Sequence, residues 1–188
     1  MIDLIREAAS IQEFVESKQW NFFFIGGVPV QVWGQPRLTQ DIYLTIFTEL
    51  KNESEYISAF LARYKPKFSD AMDFALLNRV LPMFTETGIG IDVTLSGLSD
   101  MSEALVRSSF QEFVEDISLR VCSAEDLIIM KTVAGRDRDW FDIESVIIRQ
   151  NLLDWQYILS TLESLTDDEE IPDRITQLKL KKSKFYQK

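Results

Sequence analysis

The segment from Phe22 to Phe47, FFFIGGVPVQVWGQPRLTQDIYLTIF, constrains the fold more than any other part of the chain. Phe22 to Ile25 is an unbroken apolar run, short for a helix and long enough for a buried strand. It ends in Gly26-Gly27, the residue type that allows a sharp turn and a close backbone approach. Val28 to Trp33 then begins a short helix, with Pro29 tolerated in its first turn and Gly34 as its stop. From Ile42 to Phe47 the side chains alternate. Ile42, Leu44 and Ile46 fall on one face, and Tyr43, Thr45 and Phe47 on the other. The order is strand, glycine turn, helix, loop, strand, with Arg37, Thr39 and Asp41 spaced R-x-T-x-D just ahead of the second strand.

Composition narrows the chemistry. There is no histidine and a single cysteine, Cys122. This excludes His-based general bases, Ser-His-Asp triads, and zinc or iron sites built from His or Cys. A metal held by this chain must be hard and oxygen-ligated, Mg²⁺ or Mn²⁺. A lone cysteine closes no intramolecular disulfide and fits a reducing, cytoplasmic setting. No apolar run approaches the roughly 20 residues that span a bilayer. The start, MIDLIREAAS, is charged and amphipathic and does not read as a secretory signal. The formal net charge of −10 argues against broad, non-specific nucleic-acid binding. The local exception is the tail, where Lys179, Lys181, Lys182, Lys184 and Lys188 follow the acidic run Asp167 to Glu170. It reads as a solvated terminal helix, or as a contact for RNA or an acidic partner.

The remaining periodicities predict an α+β chain: a small mixed sheet flanked by helices, with a helical C-terminal part. Helices are expected over 2–18, 50–64, 70–77, 124–134, 139–149, 154–165 and from about Pro172. Strands are expected over 80–84 and 89–95, joined by Glu86-Thr87-Gly88, and over 110–114 and 117–121, joined by Glu115-Asp116. Ser123 suits the N-cap of the helix from Ala124, with Asp126 as its acidic partner. At 188 residues the chain reads as one domain, with a core over about 20–122 and a helical part over about 123–188.

Asp41 opens one strand and Asp92 lies within another, on the face opposite to Ile91 and Val93. If those strands pair, both carboxylates meet at one edge of the sheet. Two carboxylates brought together repel, and a bound cation relieves the repulsion. Otherwise Asp41 merely opens its strand and Asp92 faces solvent. Gly26-Gly27 ahead of a helix can present backbone N–H groups to a phosphate, or can be only a tight turn. Arg37 can pair with a phosphate or with an acid. Thr39 can brace the loop leading to Asp41. A second constellation lies in EDLIIMKTVAGRDRDWFDI, where Lys131 and Arg136 bracket a helix end and Asp139 and Asp142 follow one turn apart. Lys131, on an otherwise apolar helix, either snorkels to the surface or reaches into a cleft, and the group as a whole can be a salt-bridged helix corner.

Together these features resemble the nucleotidyltransferase superfamily, and within it the AbiEii-type nucleotidyltransferase toxins and their bacterial relatives. The residues that carry the resemblance are Gly26-Gly27, Arg37-Leu38-Thr39-Gln40-Asp41-Ile42-Tyr43, Ile91-Asp92, and Lys131 with Ala134, Arg136, Asp139 and Asp142. They span about residues 20–150. The resemblance implies metal-dependent transfer of a nucleotidyl group from a nucleoside triphosphate to a hydroxyl acceptor on RNA, protein or a small molecule. It implies Asp41 and Asp92 as catalytic residues and ligands of Mg²⁺ or Mn²⁺, with Asp92 as base. It also implies Gly26, Gly27, Arg37, Thr39, Lys131, Arg136 and Asp139 as the nucleotide-binding set, and a toxin–antitoxin or defence setting with a protein partner.

The chain departs from that family at Tyr43, where the pattern carries a second carboxylate. A phenol is a poor Mg²⁺ ligand near neutral pH, and neither Thr45 nor Phe47 replaces the lost charge. Three readings follow: a non-catalytic protein that binds nucleotide or a partner, weak one-metal activity, or an acid supplied from elsewhere.

Overall fold

The computed structural model describes residues 1–48, 52–97, 102–165 and 169–186. In chain order the elements are α1 (Ile2–Ser17), β1 (Phe22–Ile25), α2 (Gly27–Trp33), β2 (Asp41–Thr48), α3 (Glu53–Leu61), β3 (Lys65–Pro66), α4 (Ala71–Asn78), β4 (Val80–Phe84), β5 (Gly90–Gly97), α5 (Ser102–Arg107), β6 (Ser109–Val114), β7 (Ile117–Val121), α6 (Ala124–Ala134), α7 (Asp137–Arg149), α8 (Trp155–Ser164) and α9 (Ile171–Phe185). They form two compact units. One comprises Met1–Val28 and Leu38–Cys122, the other Pro29–Arg37 and Ser123–Lys188.

The first unit holds a seven-stranded mixed sheet in the order β3-β4-β5-β2-β1-β7-β6. Strand β2 runs antiparallel to β1 and parallel to β5, while β5 runs antiparallel to β4. The alternation read from Ile42 onward explains this centre: Ile42, Leu44 and Ile46 are fully buried on one face. Phe23, Phe24, Leu81, Met83, Ile91 and Leu95 complete the core of the sheet. Each such side chain contributes about 1.5–3 kcal/mol through burial. Helix α1 lays Leu4, Ile5, Ala8, Ile11 and Val15 into this unit. Its buried Gln12 is satisfied by strand β7, donating to the Ser118 carbonyl at 2.9 Å and accepting from the Arg120 N–H at 2.9 Å. The β4–β5 turn closes where expected, with Gly88 at φ +85° and the Thr85 N–H bonded to the Ile89 carbonyl at 2.9 Å.

The second unit is helical. Ser123 caps α6 by accepting from the Asp126 N–H at 3.0 Å, and Gly135 ends that helix at φ +64°. Helix α7 buries Trp140, Ile143, Val146 and Ile147 and leaves Phe141 and Ile148 exposed, a one-sided helix packing on α6 and α9.

Two elements have no counterpart in the sequence reading, β3 and α5. Two residues, one of them Pro66, carry no period, and the six of α5 are few for a helical signal. The helix expected over 50–64 is observed as Glu53–Leu61, and Leu50, Asp167 and Lys188 lie outside the described residues. Within α9 the tail lysines contact neighbouring side chains. Lys181 pairs with Glu144 beside Trp140, Lys182 stands 4.8 Å from the Trp155 ring centroid, and Lys179 reaches Glu163 at 3.3 Å. Among the described residues no helix is long and apolar enough to cross a membrane.

Candidate functional site

Strands β2 and β5 pair in parallel with Asp41 opposite Gly90 and Tyr43 opposite Asp92. Strand β4 continues both rows, placing Phe84 beside Gly90 and Pro82 beside Asp92. Side chains two apart share a face, so Asp41, Tyr43 and Asp92 stand together on one side of the sheet, each partly exposed. Gly90 makes room for this. A Cβ built there would collide with the Asp41 carboxylate.

The residue that sequence reasoning missed is Lys67. Its N–H bonds to the Pro82 carbonyl at 3.0 Å, which places it on the row of Asp92 and Tyr43. Its ammonium donates to Asp92 Oδ1 at 3.0 Å, with the two side chains 23% and 21% exposed. The same nitrogen lies 3.4 Å from the position a Cβ would take on Gly90, the position the Asp41 carboxylate covers. The Phe84 ring flanks it at 5.3 Å. The ammonium is thus bonded to Asp92 and lies on the side of Gly90 that the Asp41 carboxylate also occupies.

Tyr43 and Thr39 pack on the glycine turn. Gly26 has φ +69°, and its Cβ position lies 3.0 Å from Tyr43 Cδ2. At Gly27 a Cβ would overlap the Thr39 hydroxyl. Both glycines are thus demanded by close packing. Thr39 itself is buried, and its hydroxyl donates to the Asp41 carbonyl at 3.3 Å.

Arg37, Lys131 and Asp139 come together in the helical unit around Asp142. Arg37 grips Asp142 with two bonds, Nε to Oδ1 at 2.6 Å and Nη2 to Oδ2 at 2.6 Å. Lys131 is 5% exposed and divides its ammonium between Asp139 Oδ1 at 2.8 Å and Asp142 Oδ2 at 2.6 Å. It neither snorkels to the surface nor points into an open cleft. Burial works to raise the Asp142 carboxyl, but the hydrogen bonds from Arg37 and Lys131 outweigh it and hold the group below the usual carboxylate range. The Asp142 hydrogen bond raises Arg37 above its ordinary value, against the opposing effect of burial. Asp139 Oδ2 is buried with no hydrogen-bond partner. Arg136 is exposed at the N-cap of α7.

No family model and no curated protein matches this chain. Solved structures do. The chain is similar to the lincomycin-bound lincosamide antibiotic adenylyltransferase LnuA, at 15% identity over 75% of this chain and 94% of that one, TM-score 0.54. It is similar to an antigenic nucleotidyltransferase-like protein from Paracoccidioides brasiliensis, at 14% identity over 94% and 92%, TM-score 0.53. It is also similar to the antibiotic-resistance factor ANT(2'')-Ia, at 13% identity over 96% and 92%, TM-score 0.51. The fold is that of the nucleotidyltransferases. At these identities the likeness is one of fold.

A nucleotidyltransferase fold raises the question of whether this sheet face suits a pair of divalent cations. Its donors are two aspartates and a phenol, and an ammonium already sits on one aspartate. Among the described residues no group of three acidic, His or Cys side chains is placed to hold a metal. The residues present do not fit a two-metal centre.

Proposed function

We propose that the chain handles a nucleoside triphosphate on the sheet face bearing Asp41 and Asp92 and transfers its nucleotidyl group to a hydroxyl acceptor. The observation that carries this reading is the placement of those two carboxylates on one face of paired strands, within a fold shared with nucleotidyltransferases. In such a transfer the acceptor oxygen bonds to the α-phosphorus. The bond from that phosphorus to the bridging oxygen of the β-phosphate breaks, and pyrophosphate leaves. The acceptor proton needs a base, and Asp92, partly exposed, is the group assigned to take it. Gly26, Gly27 and Thr39 would form the turn facing the triphosphate. Arg37, Lys131 and Asp139 spend their charge within the helical unit, on Asp142 and on one another, and Arg136 is exposed there. Mg²⁺ or Mn²⁺ belongs to this proposal only where it displaces Lys67 from the carboxylates.

Two of the similar structures carry names that tie them to antibiotics. This supports a small-molecule hydroxyl over RNA or protein as the acceptor. The R-x-T-x-D spacing supports AbiEii-type kinship, and with it a toxin–antitoxin or defence role in the cytoplasm.

A second reading is a non-catalytic nucleotide-binding or regulatory protein. Tyr43 packed on Gly26, together with Lys67 bonded to Asp92, favours it. Calorimetric titration of the four nucleoside triphosphates with Mg²⁺ or Mn²⁺, paired with a pyrophosphate-release assay over hydroxyl-bearing antibiotics and RNA, separates the two. The expected result is micromolar binding that Asp41→Asn abolishes, with pyrophosphate released for one acceptor. Binding without release selects the second reading. Full binding by Asp41→Asn removes Asp41 from the site, and no binding by the wild type overturns nucleotide handling.

A further inference from the structure

We infer that Lys67 is the resident cation of the Asp41–Asp92 pair, and that its ammonium masks a latent divalent-metal site. The inference rests on reading this sheet face as the functional one only in naming Mg²⁺ or Mn²⁺ as the cation displaced.

The argument starts from charge. Asp41 and Asp92 stand on one face of adjacent strands, in partly exposed positions where water screens them incompletely. Such a pair needs a counter-charge. Lys67 supplies it covalently tethered. It is bonded to Asp92 at 3.0 Å, stands over the Gly90 position that Asp41 covers, and is fixed by its own backbone bond to Pro82 at 3.0 Å. A cation held in the same chain competes at a high effective concentration against any cation from solution. A divalent ion bridging the two aspartates competes with the Lys67–Asp92 bond and approaches a positive charge already held there. The compensation is made by one side chain, directly after the two-residue strand β3, that reaches Asp92 across β4.

Two consequences follow. With Lys67 in place, the face carries a net charge of one negative from three ionised groups, and Asp92 Oδ1 is engaged. With Lys67 neutralised, the same face offers two hard oxygen ligands and two uncompensated negative charges. That is the donor chemistry of Mg²⁺ and Mn²⁺. Lys67 and Tyr43 then act in the same direction: the phenol withholds a ligand, and the ammonium occupies an oxygen of Asp92.

The test needs no nucleotide, so its outcome is independent of whether the chain handles triphosphates. Unbound Mn²⁺ is measured by electron paramagnetic resonance during titration of the wild type, Lys67→Met and Lys67→Arg, with melting curves to confirm that each is folded. The expected result is one Mn²⁺ held at least about tenfold tighter by Lys67→Met than by the wild type. Lys67→Arg, which keeps the charge, stays as weak as the wild type. Adding Asp92→Asn to Lys67→Met removes the gain. If the methionine variant does not fold, Lys67→Gln neutralises the same position with a polar head. A folded neutral variant that binds Mn²⁺ no tighter than the wild type overturns the inference, and so does a gain that survives Asp92→Asn.

Discussion

Arg37 and Asp142 form a two-pronged ion pair, with both nitrogen–oxygen distances at 2.6 Å and the aspartate side chain 3% exposed. Lys131 completes it from α6 at 2.6 Å. A carboxylate this buried is tolerated only because two cations and their hydrogen bonds replace its water. The trio ties the loop residue Arg37 to α6 and α7, so its first duty is to the helical unit.

Removing the shared carboxylate should therefore destabilise the protein strongly. Asp142→Ala leaves a guanidinium and a buried ammonium without their common partner, although Asp139 retains Lys131. The expected loss is about 3 kcal/mol, which lowers the melting temperature by roughly 10 °C for a chain of this size. Thermal unfolding followed by circular dichroism measures it. A melting temperature within about 2 °C of wild type would show that the trio adds nothing to stability.

The same aspartate sets an acid limit. Its folded-state carboxyl lies below the usual range, so its contribution is fully present above the unfolded value of about 3.9. That contribution is lost as pH falls below about 3.9 toward the folded-state value. The stability gap between wild type and Asp142→Asn should thus be constant from about pH 7 to 5 and shrink below about pH 4. Urea unfolding of both proteins across that range reads the gap directly. Two curves that stay parallel down to about pH 3 would mean that another carboxylate controls the acid response.

The sheet was legible in the sequence wherever one face is buried, because alternation then reports orientation. Ile42, Leu44 and Ile46 are the clear case, while the pairing of β2 with β5 stayed conditional in the sequence and is given by the structure. Ser123 was equally legible, since an N-cap needs a particular residue at a particular place. The partners of the charged residues were not. Arg37 meets Asp142 across 105 positions, and the sequence left it open between an acid and a phosphate. Lys67 meets Asp92 across 25 positions, through the register of β3 on β4 and of β4 on β5. A two-residue strand has no period to read. The one local signal was the extended Lys65-Pro66-Lys67, in which proline biases the residue before it away from helix.

Tyr43 is the position where a single change should alter function. Its ring covers the Gly26 turn, with Cδ2 3.0 Å from that residue's Cβ position, and it stands opposite Asp92 in the strand register. Tyr43→Asp removes the ring from the turn and adds a third carboxylate beside Asp41 and Asp92. That raises both the number and the charge of hard ligands. Lys67 still opposes an entering cation, so the gain should be partial in the single variant and larger when combined with Lys67→Met. Calorimetric titration should show Tyr43→Asp binding nucleoside triphosphate with Mn²⁺ about tenfold tighter than wild type, a difference of about 1.4 kcal/mol. Tyr43→Ser opens the same space without adding charge, and it should reproduce only the share of the gain that comes from uncovering the turn. Affinity unchanged in Tyr43→Asp would remove position 43 from the ligand set and leave the phenol as a packing residue of the glycine turn.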